Sequence, residues 1–581
     1  MNRKLLFLLL VAGVVLPLAS CRRERTHPTF AGAPVIIISI DTLRADHLPI
    51  YGYTKVETPN IDSLRRDGIL FENAYSHCPM TLPSHVSMLT GLLPTEHEVR
   101  NNLGYRFDAA KHQTLAQFLK LRGYATGAAV SSYVLRADTG LGAAFDFYDD
   151  AIPVATAGAA SQHQRSGSAT LSAARGWIAE RQSQPFFFLF HIYEPHAPYT
   201  PPEPFKSRYG AQPYDGEVAA ADAITGELLS FLKERGIYDR AIIILTSDHG
   251  EGLWQHGEDQ HGILLYREVL QVPLIVKLPG ASRAGGRVKA PVELIDLFPT
   301  VTNLVGAGRP ATLQGLPLVD LLDDPKPPRR RIYSETFYPR IHLGWSELRS
   351  LIDDQYHYIQ GPRSELYDIA SDAGETRDIA AGERRVAASM REDLTSYPAG
   401  IKELQSVDPE EAAKLAALGY LGSVHTGTGN QALPNPRDML PYLERIKTGF
   451  KLADERRYAE AVAVLQGLVR ENPGLFDVWD KLGELLAEMG QYEEAIRAYR
   501  EGMSRMQRFL PEMALSLGDV YLKASQPDEA ERYAHLALKG LPSAAHGLLA
   551  RVALTRRDFA SAKREAALAM GTQNLSPRPC C

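Results

Sequence analysis

Cysteine is scarce in this chain: its 581 residues hold four, Cys21, Cys78, Cys580 and Cys581. That number and spacing exclude a disulfide framework and a cysteine-built zinc knuckle. An excess of one charge is also missing. Lys and Arg total 63 against 69 Asp and Glu, a formal net charge of −6, so the electrostatics give no reason to expect a nucleic-acid partner. Long apolar runs are absent apart from Leu5 to Ala19, which falls short of the roughly 20 residues that span a bilayer. With 45% hydrophobic and 23% charged residues, the composition is that of a globular protein and excludes disordered, collagen-like and polytopic membrane chains. The length exceeds what one hydrophobic core organises, so more than one domain is expected.

Arg3 and Lys4 precede the apolar run, and Leu18-Ala19-Ser20-Cys21 closes it. A positive start, a short apolar core and small residues before a cut predict an export signal over residues 1–20. The small pair before Cys21 resembles a bacterial lipobox, which implies a lipidated Cys21 anchoring the chain to the cell envelope. Arg22 in the next position favours the outer membrane if the organism has two membranes. Residues 21–33 read as a polar tether.

The remainder divides into two halves of different pattern. From 34 to 398 short β-rich runs alternate with helical stretches such as Thr114 to Leu119. Val35-Ile36-Ile37-Ile38-Ser39-Ile40, Phe186-Phe187-Phe188-Leu189-Phe190 and Ala241-Ile242-Ile243-Ile244-Leu245 are continuous apolar runs, the mark of strands covered on both faces of a parallel sheet. Their alternation with helices predicts a layered α/β enzyme fold. In such folds functional groups gather beyond strand C-termini, where Asp41, His191 and Asp248-His249 stand.

After a linker at 399–435, with a short helical stretch Asp408 to Leu421, a repeat occupies 436–571, and 572–581 is a tail. Ala461, Ala495, Ala530 and Ala562 recur 34, 35 and 32 residues apart, each preceded by three positions by Tyr458, Tyr492, Pro527 or Phe559. Leu482-Gly483 recurs as Leu517-Gly518. A period near 34 with small residues at helix crossings resembles tetratricopeptide repeats, which implies an all-α solenoid able to hold a protein partner.

Three polar clusters carry the chemistry. Asp41 leads Asp41-Thr42-Leu43-Arg44-Ala45-Asp46-His47, although a lone Asp there also suits a helix N-cap. Thr81-Leu82-Pro83-Ser84-His85-Val86-Ser87-Met88-Leu89-Thr90-Gly91 reads in isolation as a helix start. Ser247-Asp248-His249-Gly250-Glu251-Gly252, followed by His256-Gly257 and His261-Gly262, is harder to explain by packing. Carboxylate beside imidazole suits zinc or manganese better than magnesium or calcium; a structural hydrogen-bonded pair is the alternative.

Together these clusters resemble the sulfatase branch of the alkaline phosphatase superfamily, over Pro34 to Ala381. The nucleophile motif of that family lies on Thr81, Pro83, His85 and Leu89-Thr90-Gly91. His196-Ala197-Pro198-Tyr199, Tyr266-Arg267-Glu268, Val272-Pro273-Leu274, Asp296-Leu297-Phe298-Pro299-Thr300 and Glu365-Leu366-Tyr367-Asp368 extend the match. The resemblance implies an alkaline phosphatase-like layered α/β core with a mainly parallel sheet.

Departures from the family pattern bear on the reaction. Sulfatases oxidise Cys or Ser to formylglycine, whereas a threonine would give a ketone, so no formylglycine is expected at Thr81. Cys78 has Met80 and Leu82 in its proline and arginine slots. His85 replaces the motif arginine and His261 a substrate lysine. Thr42 replaces a metal Asp, Asp248-His249 stands for Asp-Asn, and Ala129-Val130-Ser131-Ser132 replaces a Gly-Lys-Trp-His segment. These changes resemble the phosphoethanolamine and glycerophosphate transferases and some phosphodiesterases of the superfamily, which use a threonine nucleophile beside a metal.

That resemblance implies one divalent metal, zinc first with manganese or calcium as alternatives, held by Asp41, Thr81, Asp248 and His249. Thr81, His196 and His261 are expected to be catalytic, with a second metal at the two histidines as an alternative. His85, Asn102 and His256 are assigned to substrate. For His85 a role in holding the threonine helix stays open, as does turn formation for Asn101 and Asn102, and His191 is balanced between function and loop hydrogen bonding. The expected activity is metal-dependent ester hydrolysis or transfer on phosphoesters in preference to sulfate esters. A true sulfuric ester hydrolase and a catalytically degenerate envelope scaffold are the alternatives.

Overall fold

The structure, a computed structural model, describes residues 28–153, 164–310, 312–324, 326–400, 433–505 and 511–571. The export signal, Cys21, the stretch Asp408 to Leu421 and the tail 572–581 lie outside the described residues. Among those described, no helix is long and apolar enough to cross a membrane.

The apolar runs form the centre of a nine-stranded sheet. β1 (Val35–Ile40) lies between β5 (Phe186–Ile192) and β6 (Ile242–Thr246), parallel to both, with Ser39 beside His191 on one side and Thr246 on the other. Outside them lie β3 (Ala125–Ala129) and β4 (Phe147–Asp149), also parallel. On the other flank β7 (Gln271–Lys277) runs antiparallel to β6 and to β2 (Ile69–Tyr75), and the short β8 (Arg287–Val288) and β9 (Val292–Glu293) pair with β2. Every residue of β1, β5 and β6 is buried, because helices cover both faces. One face packs against Thr81–Thr90 and Leu297–Leu304, the other against Gly167–Glu180 and Pro213–Glu234. The result is the expected layered α/β core with a mostly parallel sheet.

Two strand ends fall later than the runs alone indicate. β5 continues to Ile192, so His191 sits inside the strand, and β6 ends at Thr246. A second, antiparallel sheet of four strands, β10 (Ile332–Thr336), β11 (Leu348–Ile352), β12 (Tyr356–Gln360) and β13 (Glu365–Asp368), packs on the helix Arg384–Leu394.

From Pro436 the chain is a stack of helix pairs. The recurring residues Tyr458, Tyr492, Pro527 and Phe559 each open the second helix of a pair. Ala461, Ala495, Ala530 and Ala562 one turn later are buried at the crossings. Small residues there let backbones approach: a Cβ on Gly483 would lie 2.4 Å from the Tyr499 ring. The first helix, Pro436–Asp454, also packs backward. Its Leu440 and Leu443 enter the apolar cluster of Met80, Ile263, Leu264 and Trp345 in the α/β half.

Candidate metal centre and active site

Three adjacent strands deliver the site. Asp41 follows β1, and its backbone N–H donates to Ile192 O at 2.9 Å, which fixes the turn at the sheet edge. Thr42 takes a left-handed φ of 53°, and its N–H donates to Asp248 Oδ1 at 3.3 Å. Ser247 Oγ accepts from the Leu43 N–H at 3.0 Å and donates to His249 O at 2.6 Å. These bonds tie the two strand ends together and leave one oxygen of Asp248 facing Asp41.

Asp41, Asp248 and His249 are fully buried and offer ligand atoms within 4.8 Å of one another. Both carboxylate oxygens of Asp41 and Oδ2 of Asp248 have no hydrogen-bond partner. An N-cap role for Asp41 is overturned, since the next helical turn begins at Ala45 with Arg44 at its N-cap. Burial first, and then the Asp248 charge, push the Asp41 carboxyl well above its usual range, and burial pushes Asp248 up as well. Unpaired, mutually repelling carboxylates in a dry pocket are what a cation relieves. His249 donates Nδ1–H to Gly250 O at 2.9 Å, leaving Nε2 with its lone pair turned inward, 3.5 Å from Asp248 Oδ2 and 3.9 Å from Asp41 Oδ1. These donors fit a divalent metal.

Thr81 is the first residue of the helix Thr81–Thr90, all of it buried. Its Oγ1 lies 3.4 Å from His249 Nε2, and the helix N-terminus favours negative charge there. The helix is held in place from several sides. Leu82 N–H donates to Asn102 Oδ1 at 2.8 Å, Ser84 Oγ donates to Asp248 O at 2.7 Å, and Gly91 ends the helix at φ 66° against Leu313 and Phe298.

Histidines surround the triad. His196 and His261 have ring centroids 5.2 Å apart, and His261 lies 4.4 Å from His249. His261 Nδ1 is 2.9 Å from Glu251 Oε1, and Tyr199 OH donates to Glu251 Oε2 at 2.9 Å. Burial lowers His196, His249 and His261 to about 3, and raises Glu251 to about 7. The His261–Glu251 pair therefore retains one proton near neutrality, resting on the carboxyl.

Three expected substrate residues point elsewhere. His85 is fully buried, with Nδ1–H donating to Thr81 O at 2.8 Å and Nε2 accepting from Ser39 Oγ at 3.0 Å, so it braces the threonine helix. Asn102 binds the first turn of that helix. His256 lies against Tyr266 with centroids 3.7 Å apart, its Nδ1 2.5 Å from Glu268 Oε1 and Nε2 3.2 Å from Glu375 O; both nitrogens are used in packing. His191 sits beside the triad instead. The Ser131 N–H donates to its Nδ1 at 3.4 Å, which makes Nε2 the protonated nitrogen, facing Asp41 Oδ2 at 3.4 Å. Glu251 was open to recognition in the Asp-His-Gly-Glu run, but no spacing rule marks it as a partner of His261.

Residues 34–307 match the sulfatase family model, and 259–399 match that of the N-sulphoglucosamine sulphohydrolase C-terminal region. The chain belongs to the sulfatase family. Its repeats match a tetratricopeptide repeat model over 452–514. Human arylsulfatase A is 24% identical over 447 residues, covering 64% of this chain and 86% of that protein. A multifunctional alkaline phosphatase superfamily protein of Trinickia caryophylli is 22% identical over 482 residues, covering 62% and 93%. The crystal structure of a phosphonate monoester hydrolase of Agrobacterium radiobacter superposes with a TM-score of 0.52 at 22% identity, covering 63% and 95%, which establishes the shared fold. In the segment that resembles the family's nucleophile motif this sulfatase-family hydrolase carries Thr81, and burial keeps the nearby Cys78 thiol well above its usual pKa.

Proposed function

We propose that this sulfatase-family member is a metal-dependent ester hydrolase or transferase that uses Thr81 Oγ1 as its nucleophile, on phosphoesters in preference to sulfate esters. The observation that carries the reading is the place of that hydroxyl. It stands at a buried helix N-terminus, 3.4 Å from His249 Nε2, beside carboxylate oxygens that lack any partner.

Asp41, Asp248 and His249 would hold the metal, with Thr81 as the fourth donor; the carboxylate–imidazole set favours zinc. When bound, a divalent cation supplies the positive charge that lets a nearby hydroxyl ionise near neutral pH and offsets charge on the ester. Thr81 loses its proton to solvent and attacks phosphorus. The departing oxygen takes a proton from the His261–Glu251 pair, while His196, whose Nδ1–H donates to Ala197 O at 2.7 Å, accepts a hydrogen bond from a substrate or acceptor hydroxyl through Nε2. Water, or an acceptor alcohol, then displaces Thr81 while His261 takes back a proton.

Thr81→Ala should lower kcat on bis(4-nitrophenyl) phosphate or an aryl phosphonate at least about 1,000-fold; wild-type turnover by that variant would overturn the assignment. The rival reading, sulfuric ester hydrolysis, draws on the names of relatives such as human arylsulfatase A. Turnover of 4-nitrophenyl sulfate with none of either phosphorus ester would select it. The reading also takes in export, lipidation at Cys21 on the strength of residues 3–21, and a protein partner on the repeats. Palmitate labelling lost in Cys21→Ala checks the anchor.

A further inference from the structure

The helix Pro436–Asp454 opens the repeat array, yet it packs against the loop that carries His261. Leu440 and Leu443 share an apolar cluster with Met80, which precedes Thr81, and with Ile263 and Leu264, which follow His261. One turn beyond Leu443, Lys447 Nζ lies 2.5 Å from Asp259 Oδ1, two residues before His261. The pair is partly shielded, its side chains 33% and 19% exposed, so solvent screens it less than an ordinary surface pair.

This loop needs an external hold. Leu253 and Trp254 at its near end both take left-handed backbone angles, φ 47° and 69°, which cost energy in residues with side chains. Backbone bonds zip the two arms of the loop: Gly252 N–H to Gln260 O at 2.6 Å, Leu253 N–H to Asp259 O at 3.1 Å and Trp254 N–H to Glu258 O at 2.8 Å. The Glu258 carboxylate accepts the N–H groups of Ile263 at 2.7 Å and Leu264 at 2.9 Å. His261 is thus framed by 258–264, and the Lys447–Asp259 ion pair fastens this frame from the repeats.

We infer that Lys447 is a positioning residue for His261: through Asp259 the first repeat helix clamps the 258–264 loop, and the array is part of the catalytic apparatus. This rests on the reading of His261 as the group that protonates the leaving oxygen. A general acid is worth roughly 10²–10⁴ in rate, and small displacements forfeit part of it.

The test uses the full chain with Lys447→Met, Lys447→Arg, His261→Ala and Arg363→Ala. Arg363 pairs with Asp438 of the same helix at 3.0 Å, an exposed contact away from the loop. Two probes are compared, diphenyl phosphate, whose leaving group needs a proton, and bis(4-nitrophenyl) phosphate, whose leaving group does not. Lys447→Met should lower kcat on diphenyl phosphate about tenfold, with KM and the nitrophenyl rate within about twofold. His261→Ala should show the same pattern more strongly, Lys447→Arg should recover most of the loss, and Arg363→Ala should leave kcat unchanged. Equal loss on both probes, or loss that follows Tm in Arg363→Ala as well, would reduce Lys447 to a structural strut and overturn the inference. A leaving-group pattern in His261→Ala but not in Lys447→Met overturns it too. No such pattern in His261→Ala defeats the underlying reading of His261, and the clamp with it.

Discussion

Asp41 presents two buried oxygens with no hydrogen-bond partner, next to a second carboxylate. Metal-free, two buried carboxylates without partners cost stability; on the proposed reading a bound cation would offset that cost. Asp41→Asn should therefore leave the metal-free protein as stable as wild type or raise it by about 1 kcal/mol. It should also abolish the rise in Tm that zinc gives wild type, a rise worth about 3 kcal/mol at a hundredfold excess over Kd. Calorimetry with and without zinc reads both effects, and an undiminished zinc response in the variant would remove Asp41 from the ligand set. At this scale the sequence revealed residue types better than directions. Asp41, Thr81, Asp248, His249 and His261 were legible because an Asp-His pair beyond a buried strand has few structural uses, and because the match to the nucleophile motif names a position. Neither signal says which way a ring faces. His85, Asn102 and His256 were assigned to substrate on position alone, and each turns its polar atoms into the scaffold. Glu251 stood in a visible polar run but without a sign of its partner, and Lys447 gave no signal, since both roles depend on which side chain stands opposite.

Among the elements, β1, β5 and β6 announce themselves because a strand covered on both faces must be apolar throughout. β7 and β2, at the antiparallel flank, and the four-stranded second sheet carry mixed patterns that fit several placements. The repeats were legible through their small residues, whose reasons differ. At Gly483 a Cβ would meet the Tyr499 ring at 2.4 Å, whereas at Gly490 nothing lies within 4 Å but φ is 75°. Gly483→Ala should cost about 3 kcal/mol through overpacking, and Gly490→Ala about 1–2 kcal/mol through backbone strain. Adding Tyr499→Leu should recover part of the first loss and none of the second. Urea melts of the full chain followed by helical circular dichroism check this, and equal response to Tyr499→Leu would show that packing is not what selects glycine at 483. The helix Pro436–Asp454 shows where reading by element fails. Its repeat-like pattern is real, but one face serves the array while Leu440 and Leu443 serve the α/β half.

Across the whole molecule, buried titratable groups couple the site to global stability. Burial raises Glu217 and Glu251 to about 7, so the folded chain keeps protons that the unfolded chain releases near 4.5. Their stabilising contribution is full below that value and is lost as pH rises through 7. The lowered histidines act oppositely: His77 at about 4, and His196, His249 and His261 at about 3, contribute stability above 6.5 and lose it as pH falls. At pH 6.5 the unfolded histidines are still half protonated, so between pH 6.5 and 8 each returns about 0.4 kcal/mol and opposes the carboxyls. The contribution of each of these two carboxyls to metal-free stability should fall by about 1 kcal/mol between pH 6.5 and 8, a change read as the difference between variant and wild type. Glu217→Gln and Glu251→Gln should each raise the stability at pH 8, relative to that at pH 6.5, by about 1 kcal/mol compared with wild type. Calorimetry in chelator at three pH values measures it. This titration bears on catalysis, because the proton assigned to the His261–Glu251 pair is the same one that Glu251 gives up in it. A Glu251→Gln profile parallel to that of wild type would mean that Glu251 is already ionised in the fold, and the pair would then hold no proton for a departing oxygen.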